Sequence, residues 1–518
     1  MAFAALAVTT FMLLFGVYPL FTILRTLMTA SADFTSGYGA TDIVSLLLQT
    51  GTQAALSATL TLGVGLPVAY LMSRFEFFGR RALEALVTLP FVLPTMVTGL
   101  GLRGVLEGVI PQGLGLVVLG HAFVNIAVVL RFVGTAIERI DERLLIQARS
   151  LGASELRMWR SIGLPLLMPA IIRVGLLVFG FSFSSLSLIL VLGTRTNRTF
   201  ETEVLRQVSL LLDFQGAAIN TVVQLACIAM VLLLSARFAR RSPGSRWFAN
   251  SRVQLSAHPV WLLVAALVTA VYLAPFVWLV RQSLTTTAGF TLSHWGNVLA
   301  GSAVERFEFA PTVFRSVMLA LSAAAVSIVV ASLCASLATQ KHSRLLRSVS
   351  RFALLPMMLT SATVGLGMLL AYARPPFEWE RGGAALVLAQ SLLAIPIAYA
   401  FMITRLEEVD QRFLVVATSL GATQRQAWKA TYLPTLLSAS AAAMGLATVL
   451  ALGEFGAASF LADFRSPNLS VLLMRWLGKP SETALSSAAV LAVVLVVLAL
   501  GSLMASEAAS RRMRRVRT

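Results

Sequence analysis

Ile140-Asp141-Glu142-Arg143, then Ser150-Leu151-Gly152-Ala153-Ser154, then Leu164-Pro165: this order of segments occurs twice in the chain. The second copy reads Val409-Asp410-Gln411-Arg412, Ser419-Leu420-Gly421-Ala422-Thr423 and Leu433-Pro434, displaced throughout by 269 residues. Upstream, Leu89-Pro90 with Gly99-Leu100-Gly101 returns as Leu355-Pro356 with Gly365-Leu366-Gly367, displaced by 266. Four segments in one order, with a single three-residue length change, mark a tandem duplication. Asp141 and Asp410 are placed to cap a short helix by accepting from its free N–H groups. Gly152 and Gly421 end that helix, since a residue without a Cβ permits a sharp reversal. Ser154 and Thr423 are placed to cap a second helix, and Thr423 with Gln426 fits a capping box. The expected product is a compact helical elbow, made twice.

The surroundings of the elbows say what kind of chain carries them. Of 518 residues, 57% are hydrophobic and only 12% charged, and the mean hydropathy is +0.83. Soluble domains carry about 25% charged residues to wet their surfaces. A chain this apolar needs lipid as solvent. Apolar stretches of about 20 residues predict roughly twelve spans. They begin near Phe3, Thr52, Leu83, Leu114, Leu166 and Ala217, then near Pro259, Pro311, Phe352, Ala384, Pro434 and Ala484. The expected fold is all-α and polytopic, with about twelve transmembrane helices in two parallel-repeat modules of six. The opening apolar run lacks a basic leader region and exceeds a signal core, so it reads as a retained first helix.

Basic residues set the expected orientation. Of 41 lysines and arginines, 26 fall in even-numbered loops and the C-terminal tail, against 13 in the odd-numbered loops. Both termini, and both elbows, are therefore expected in the cytoplasm. The net charge of +18 does not point to nucleic acid, because the arginines lie in short runs between apolar spans. Arg131 and Arg173, inside spans, read as snorkelling toward an interface. The expected division is a first module over residues 1–236, a basic cytoplasmic linker over 237–258 containing Ser242-Pro243-Gly244, and a second module over 259–518. Cys227 and Cys334 lie in apolar stretches and the four histidines are scattered, so neither a disulfide, a metal site nor any cofactor is expected.

The duplicated elbow resembles the coupling loop of bacterial ATP-binding-cassette importer permeases, the binding-protein-dependent family with a MetI-like fold. That family's loop runs Glu-Ala-Ala, three residues, Gly, then a distant Leu-Pro. The glycine and Leu-Pro spacing match in both halves. The leading triplets read Ile146-Gln147-Ala148 and Val415-Val416-Ala417, so only the final alanine is kept. The resemblance implies that Ala148, Gly152, Ala153, Leu164 and Pro165, with Ala417, Gly421, Ala422, Leu433 and Pro434, meet a separate ATPase subunit. It also implies an extracytoplasmic substrate-binding protein and a bacterial inner, or plasma, membrane. The chain is not expected to be an enzyme: none of Lys341, Lys429 and Lys479 lies in a Gly-x4-Gly-Lys-Ser/Thr phosphate loop.

Substrate signals are weaker. Phe181 to Ser185, Leu192-Gly193, Thr199 to Val204, Asp213, Ala217-Ala218 and Gln224-Leu225 most resemble the thiamine permeases among fused two-module members. Ferric-iron permeases, the alternative, carry an acidic-Phe-Gly segment in the first half. Here Gly453-Glu454-Phe455-Gly456 occurs only in the second. Glu454 lies in an apolar span, where a carboxylate is costly. It either lines the translocation path and attracts a cation, or braces the fold by pairing with an arginine or capping a broken helix. An ion-coupled secondary transporter would have no task for two elbows. A membrane-embedded enzyme would need a catalytic set, and neither HExxH, a Ser/His/Asp set nor paired intramembrane carboxylates are read here.

Overall fold

With no water to satisfy a backbone inside hydrocarbon, long apolar segments close their hydrogen bonds internally as helices. The computed structural model describes residues 2–28, 39–239, 253–255, 259–286, 289–305, 307–340, 343–372, 379, 383–410, 412–463 and 465–515. In the first half the helices are α1 (Phe3–Met28), α2 (Thr41–Arg74), α3 (Arg80–Val92), α4 (Thr95–Leu106) and α5 (Leu114–Glu138). Then come α6 (Glu142–Ser150), α7 (Glu155–Phe183), α8 (Ser187–Leu192), α9 (Phe200–Arg206) and α10 (Phe214–Phe238). The second half has α11 (Pro259–Leu284), α12 (Ser293–Leu299), α13 (Phe309–Ala338), α14 (Arg344–Met358), α15 (Ser361–Tyr372) and α16 (Ala384–Glu407). It closes with α17 (Arg412–Ser419), α18 (Gln424–Thr431), α19 (Leu433–Gly453), α20 (Gly456–Leu461), α21 (Leu469–Leu477) and α22 (Glu482–Arg515). Among the described residues ten helices are long and apolar enough to cross a bilayer, or twelve if each bent pair counts as one span. Among the described residues only two-residue strand pairs accompany them, Phe75–Glu76 with Val253–Gln254 and Thr285–Thr286 with Gly289–Phe290.

The duplication reaches below sequence likeness. Helices α8 and α20 begin and end 269 residues apart, and so do their N-cap residues Leu186 and Phe455. The next N-caps, Thr199 of α9 and Asn468 of α21, keep the same displacement.

Two expectations about the spans change. The third span of each half is broken, with α3 and α4 meeting at 110° and α14 and α15 at 101°. At the first break Leu93 is extended (φ −67°, ψ 158°), the conformation a following proline imposes, here Pro94. At the second, Leu359 is extended without a proline, and the Thr360 hydroxyl instead accepts from the Thr363 N–H at 3.1 Å. The second span also starts at Thr41 rather than near Thr52, because Thr50, Gln53 and Ser57 are buried in protein and need not meet lipid. Of the expected linker 237–258, residues 240–252 and 256–258 lie outside the described set.

The modules interlock through their first spans. Gly101 of α4 lies so close to Pro275 of α11 that a Cβ there would sit 2.7 Å from the Pro275 carbonyl oxygen. Its repeat partner Gly367 of α15 lies against Pro19 of α1, at 2.9 Å by the same measure. Tyr272 of α11 donates to the Phe123 carbonyl at 2.9 Å and stacks on the Phe123 ring at 4.4 Å. Tyr372 of α15 donates to the Leu14 carbonyl at 2.6 Å. Each first span thus packs on the other module, which closes one helical body around a shared centre.

Candidate functional site

The elbows form as their residues demand. In the first, Asp141 accepts from the Arg143 N–H at 3.0 Å and α6 follows. Gly152 then takes φ +81°, a left-handed conformation that suits glycine. The Ala153 N–H returns to the Ala148 carbonyl at 3.0 Å and that of Gly152 to Arg149 at 2.9 Å, which satisfies the last carbonyls of the helix. In the second, Asp410 accepts from the Arg412 N–H at 2.9 Å and Gly421 takes φ +88°. The Ala422 N–H reaches the Ala417 carbonyl at 3.1 Å. Thr423 and Gln426 form the expected capping box, with backbone-to-side-chain bonds of 2.9 and 3.3 Å.

Beyond the glycines the two copies differ. In the first, the helix that Ser154 caps runs without a break into the fifth span, α7, through a π-helical turn over Trp159–Gly163. In the second, α18 ends at Thr431 and α19 begins at Leu433. Leu164 and Pro165, Leu433 and Pro434 stand at this junction in each half.

A pair of anchors escaped the sequence reading. Trp159 packs edge-on against Tyr70 of α2 at 5.4 Å, with the Arg74 guanidinium 5.8 Å over its ring. Trp428, 269 residues later, donates from its indole N–H to the Thr339 hydroxyl at 2.9 Å, just past α13. Both tryptophans tie an elbow to the second span of its own module. The repeat offset alone would have found them.

Each elbow also presents apolar side chains outward. Leu151 is 88% exposed and Leu420 82%, and Ile146 and Val415, again repeat partners, are exposed as well. Ala148, Ala153, Ala417 and Ala422 sit half-buried behind them. Outward leucines at repeated positions mark a surface that a partner covers more often than a solvated face.

Glu454 stands at the break between α19 and α20. Its carboxylate accepts from the Ala457 N–H at 3.0 and 3.1 Å and from the Ala458 N–H at 3.2 Å. Of the two bracing arrangements expected for it, the described structure contains the helix cap. The same residue also lines a cavity of about 300 Å³ between the modules, with Ser361 at the start of α15, Pro94, His121, Asn125 and Ser185. The Gln53 amide donates to His121 Nδ1 at 2.7 Å, leaving Nε2 without a partner among the described residues. Arg173 is not part of this centre, and its guanidinium lies 5.8 Å over the Phe132 ring.

A second carboxylate reaches the same bend, contrary to the sequence reading that found none paired. Glu201 of α9 is fully buried. It accepts from the Gln224 amide of α10 at 2.8 Å and, across the module boundary, from the Ala362 N–H of α15 at 3.4 Å. Glu201 and Glu454 lie 253 residues apart in sequence and flank Ser361-Ala362. Each is occupied by N–H donors at a helix start, where a carboxylate also meets the positive end of the helix dipole.

A larger cavity, about 1270 Å³, opens beyond Phe455, which lines both chambers. Apart from Gln112, just before α5, its lining residues follow α7 or α19 in sequence, so it lies at the opposite ends of those spans from the elbows.

The profile of the family described as "binding-protein-dependent transport system inner membrane component" matches residues 62–246 and again 327–515. The chain belongs to that family. Its two matched regions are the two halves of the duplication, each containing one elbow. The thiamine transport system permease protein of Salmonella typhimurium is 24% identical over 86% of this chain and 85% of the relative. A probable ABC transporter permease protein of Sinorhizobium fredii is 25% identical over 69% of this chain and 66% of the relative. The sulfate transport system permease protein of Salmonella typhimurium is 32% identical, over 37% of this chain and 76% of the relative. The chain is a multi-pass membrane permease of the ABC-importer type.

Proposed function

We propose that this chain forms the whole transmembrane pathway of an ATP-driven importer and that both elbows dock on separate ATPase subunits. The observation that carries this reading is the pair of outward-facing elbows at mirrored positions, in a chain without a phosphate loop of its own. ATP is hydrolysed by the partner, and closure of the partner drives the elbows and the spans fused to them. An extracytoplasmic binding protein delivers the solute to the large cavity at the other end. Buried Phe455 lines both that cavity and the inner chamber beside Glu454, and its repeat partner Leu186, also buried, lines the inner chamber. Thiamine is the finer substrate reading, supported by a thiamine permease as a relative along most of the chain.

Capture of the ATPase tests the docking surface. Leu151→Asp combined with Leu420→Asp is expected to lower ATPase copurification at least about tenfold, because a charge replaces an apolar contact that is buried on docking. The permease yield should stay unchanged, since both leucines are exposed. Wild-type recovery of the ATPase by the double variant would remove the elbows as the docking site.

The proposed orientation places both termini and both elbows in the cytoplasm. A cysteine at Lys479 is expected to react with an impermeant thiol reagent on intact cells, and a cysteine at Arg511 only after permeabilisation. Labelling of the Arg511 site on intact cells would reverse the orientation.

A further inference from the structure

We infer that the large outer cavity is an anion-concentrating vestibule, and that the solute entering it carries net negative charge. The inference deepens the permease reading and rests on it for the word solute, though the charge of the cavity does not. Four arginines line the cavity, Arg195, Arg198, Arg206 and Arg475, against one carboxylate, Glu203. Glu203 has a side chain only 1% exposed and holds two of them, with ion pairs of 3.1 Å to Arg198 and 2.5 Å to Arg206. One buried carboxylate between two guanidiniums fixes their forks and neutralises only one charge. Arg475, from the other module, meets Glu305 at 3.4 Å, and Glu305 also serves Lys479 at 3.3 Å. Arg195 is exposed and makes neither an ion pair nor a side-chain hydrogen bond among the described residues. Among the described residues the lining thus carries four guanidiniums and one carboxylate along one concave wall, a geometry that focuses positive potential.

Guanidinium forks also match oxyanions in shape, offering paired N–H donors to two oxygens at once. The chemistry shared by fitting solutes is therefore a phosphate- or sulfate-like group, free or esterified. Free thiamine is a cation and is disfavoured there, so the vestibule counts against the thiamine reading unless the solute is a phosphate ester with net negative charge.

The test reads the potential directly on the purified full-length chain. Ser209 lines the cavity and is exposed, so Ser209→Cys, with Cys227→Ser and Cys334→Ala, gives one reporter thiol. Its reaction rate is measured with an anionic ethylsulfonate and a cationic ethyltrimethylammonium methanethiosulfonate, each relative to a small free thiol. At low salt the anionic reagent is expected to lead by about tenfold, with the ratio falling toward one in high salt. Arg195→Gln should cut the ratio by about threefold and Arg195→Lys should keep it. Equal rates, or a lead for the cation, overturn the inference. Inorganic sulfate and glycerol phosphate are then tried as protectants. Slowing by sulfate assigns a free oxyanion, and slowing by glycerol phosphate alone assigns an ester. Slowing by choline alone counts against an anionic solute. Failure here leaves ATPase capture by the elbows untouched, so the two readings fall separately.

Discussion

Valine at Gly152 or at Gly421 is expected to abolish uptake by reconstituted vesicles while leaving the chain inserted and purifiable. Both glycines sit at positive φ, +81° and +88°, and an added Cβ would touch nothing within 4 Å. Space is therefore available, and the penalty is purely one of backbone conformation. A non-glycine residue held there costs about 1–3 kcal/mol, and a β-branched one lies at the upper end. A helix of nine residues, or eight in the second elbow, has few other bonds with which to hold the reversal. The bond from the Ala153 or Ala422 N–H to the alanine carbonyl five residues back depends on it. The tip leucine would be displaced from its outward position, and ATPase capture should fall along with uptake. Gly63→Ala is the control: Gly63 is helical, without positive φ, and a Cβ there also meets nothing within 4 Å. Normal uptake in both valine variants would show that the elbows transmit no motion.

The elbows were legible because everything that shapes them is local. Asp141, Gly152 and Thr423 act on N–H and carbonyl groups within five residues of themselves, and a propensity argument reaches that far. The parallel repeat was legible for a related reason, since each copy carries the same local demands. The broken third spans were not. Leu89-Pro90 and Leu355-Pro356 were read as repeat markers, yet the first break follows from Pro94, which has a threonine as its repeat partner.

Contacts between modules were further from reach. Glu201 drew notice only as part of a resembling stretch, because its donor, the Ala362 N–H, lies 161 residues away. The arginine vestibule has the same cause. Its charges come from the loop before α9, from α9 itself and from α21, and no window along the chain contains them together. Positive charge in odd-numbered loops runs against the proposed orientation, and the proposed vestibule gives it a task there other than setting topology.

Glu454 supplies the second large effect. As a cap it satisfies two backbone N–H groups that α20 cannot satisfy itself. Glu454→Ala removes both acceptors in a mostly buried break and is expected to cost about 1–3 kcal/mol, read as a lower melting temperature in detergent. Uptake should fall with it, because Phe455 is the N-cap residue of α20 and its position beside both chambers depends on the break. Glu454→Gln keeps one carbonyl oxygen for the cap and loses the charge. Stability is expected to stay within about 1 kcal/mol of wild type, and uptake to stay within a few-fold. The described residues contain no ion pair to Glu454, so the larger loss of about 3–5 kcal/mol that follows from stranding a buried cation is not expected. The pair of variants separates brace from attractor, since a carboxylate that draws a cation through the inner chamber needs its charge and a cap needs only its oxygen. Lost uptake in Glu454→Gln at unchanged melting temperature would overturn the brace reading and make the inner chamber a cation site. It would also set that chamber against the vestibule, so that the solute would have to carry both signs of charge.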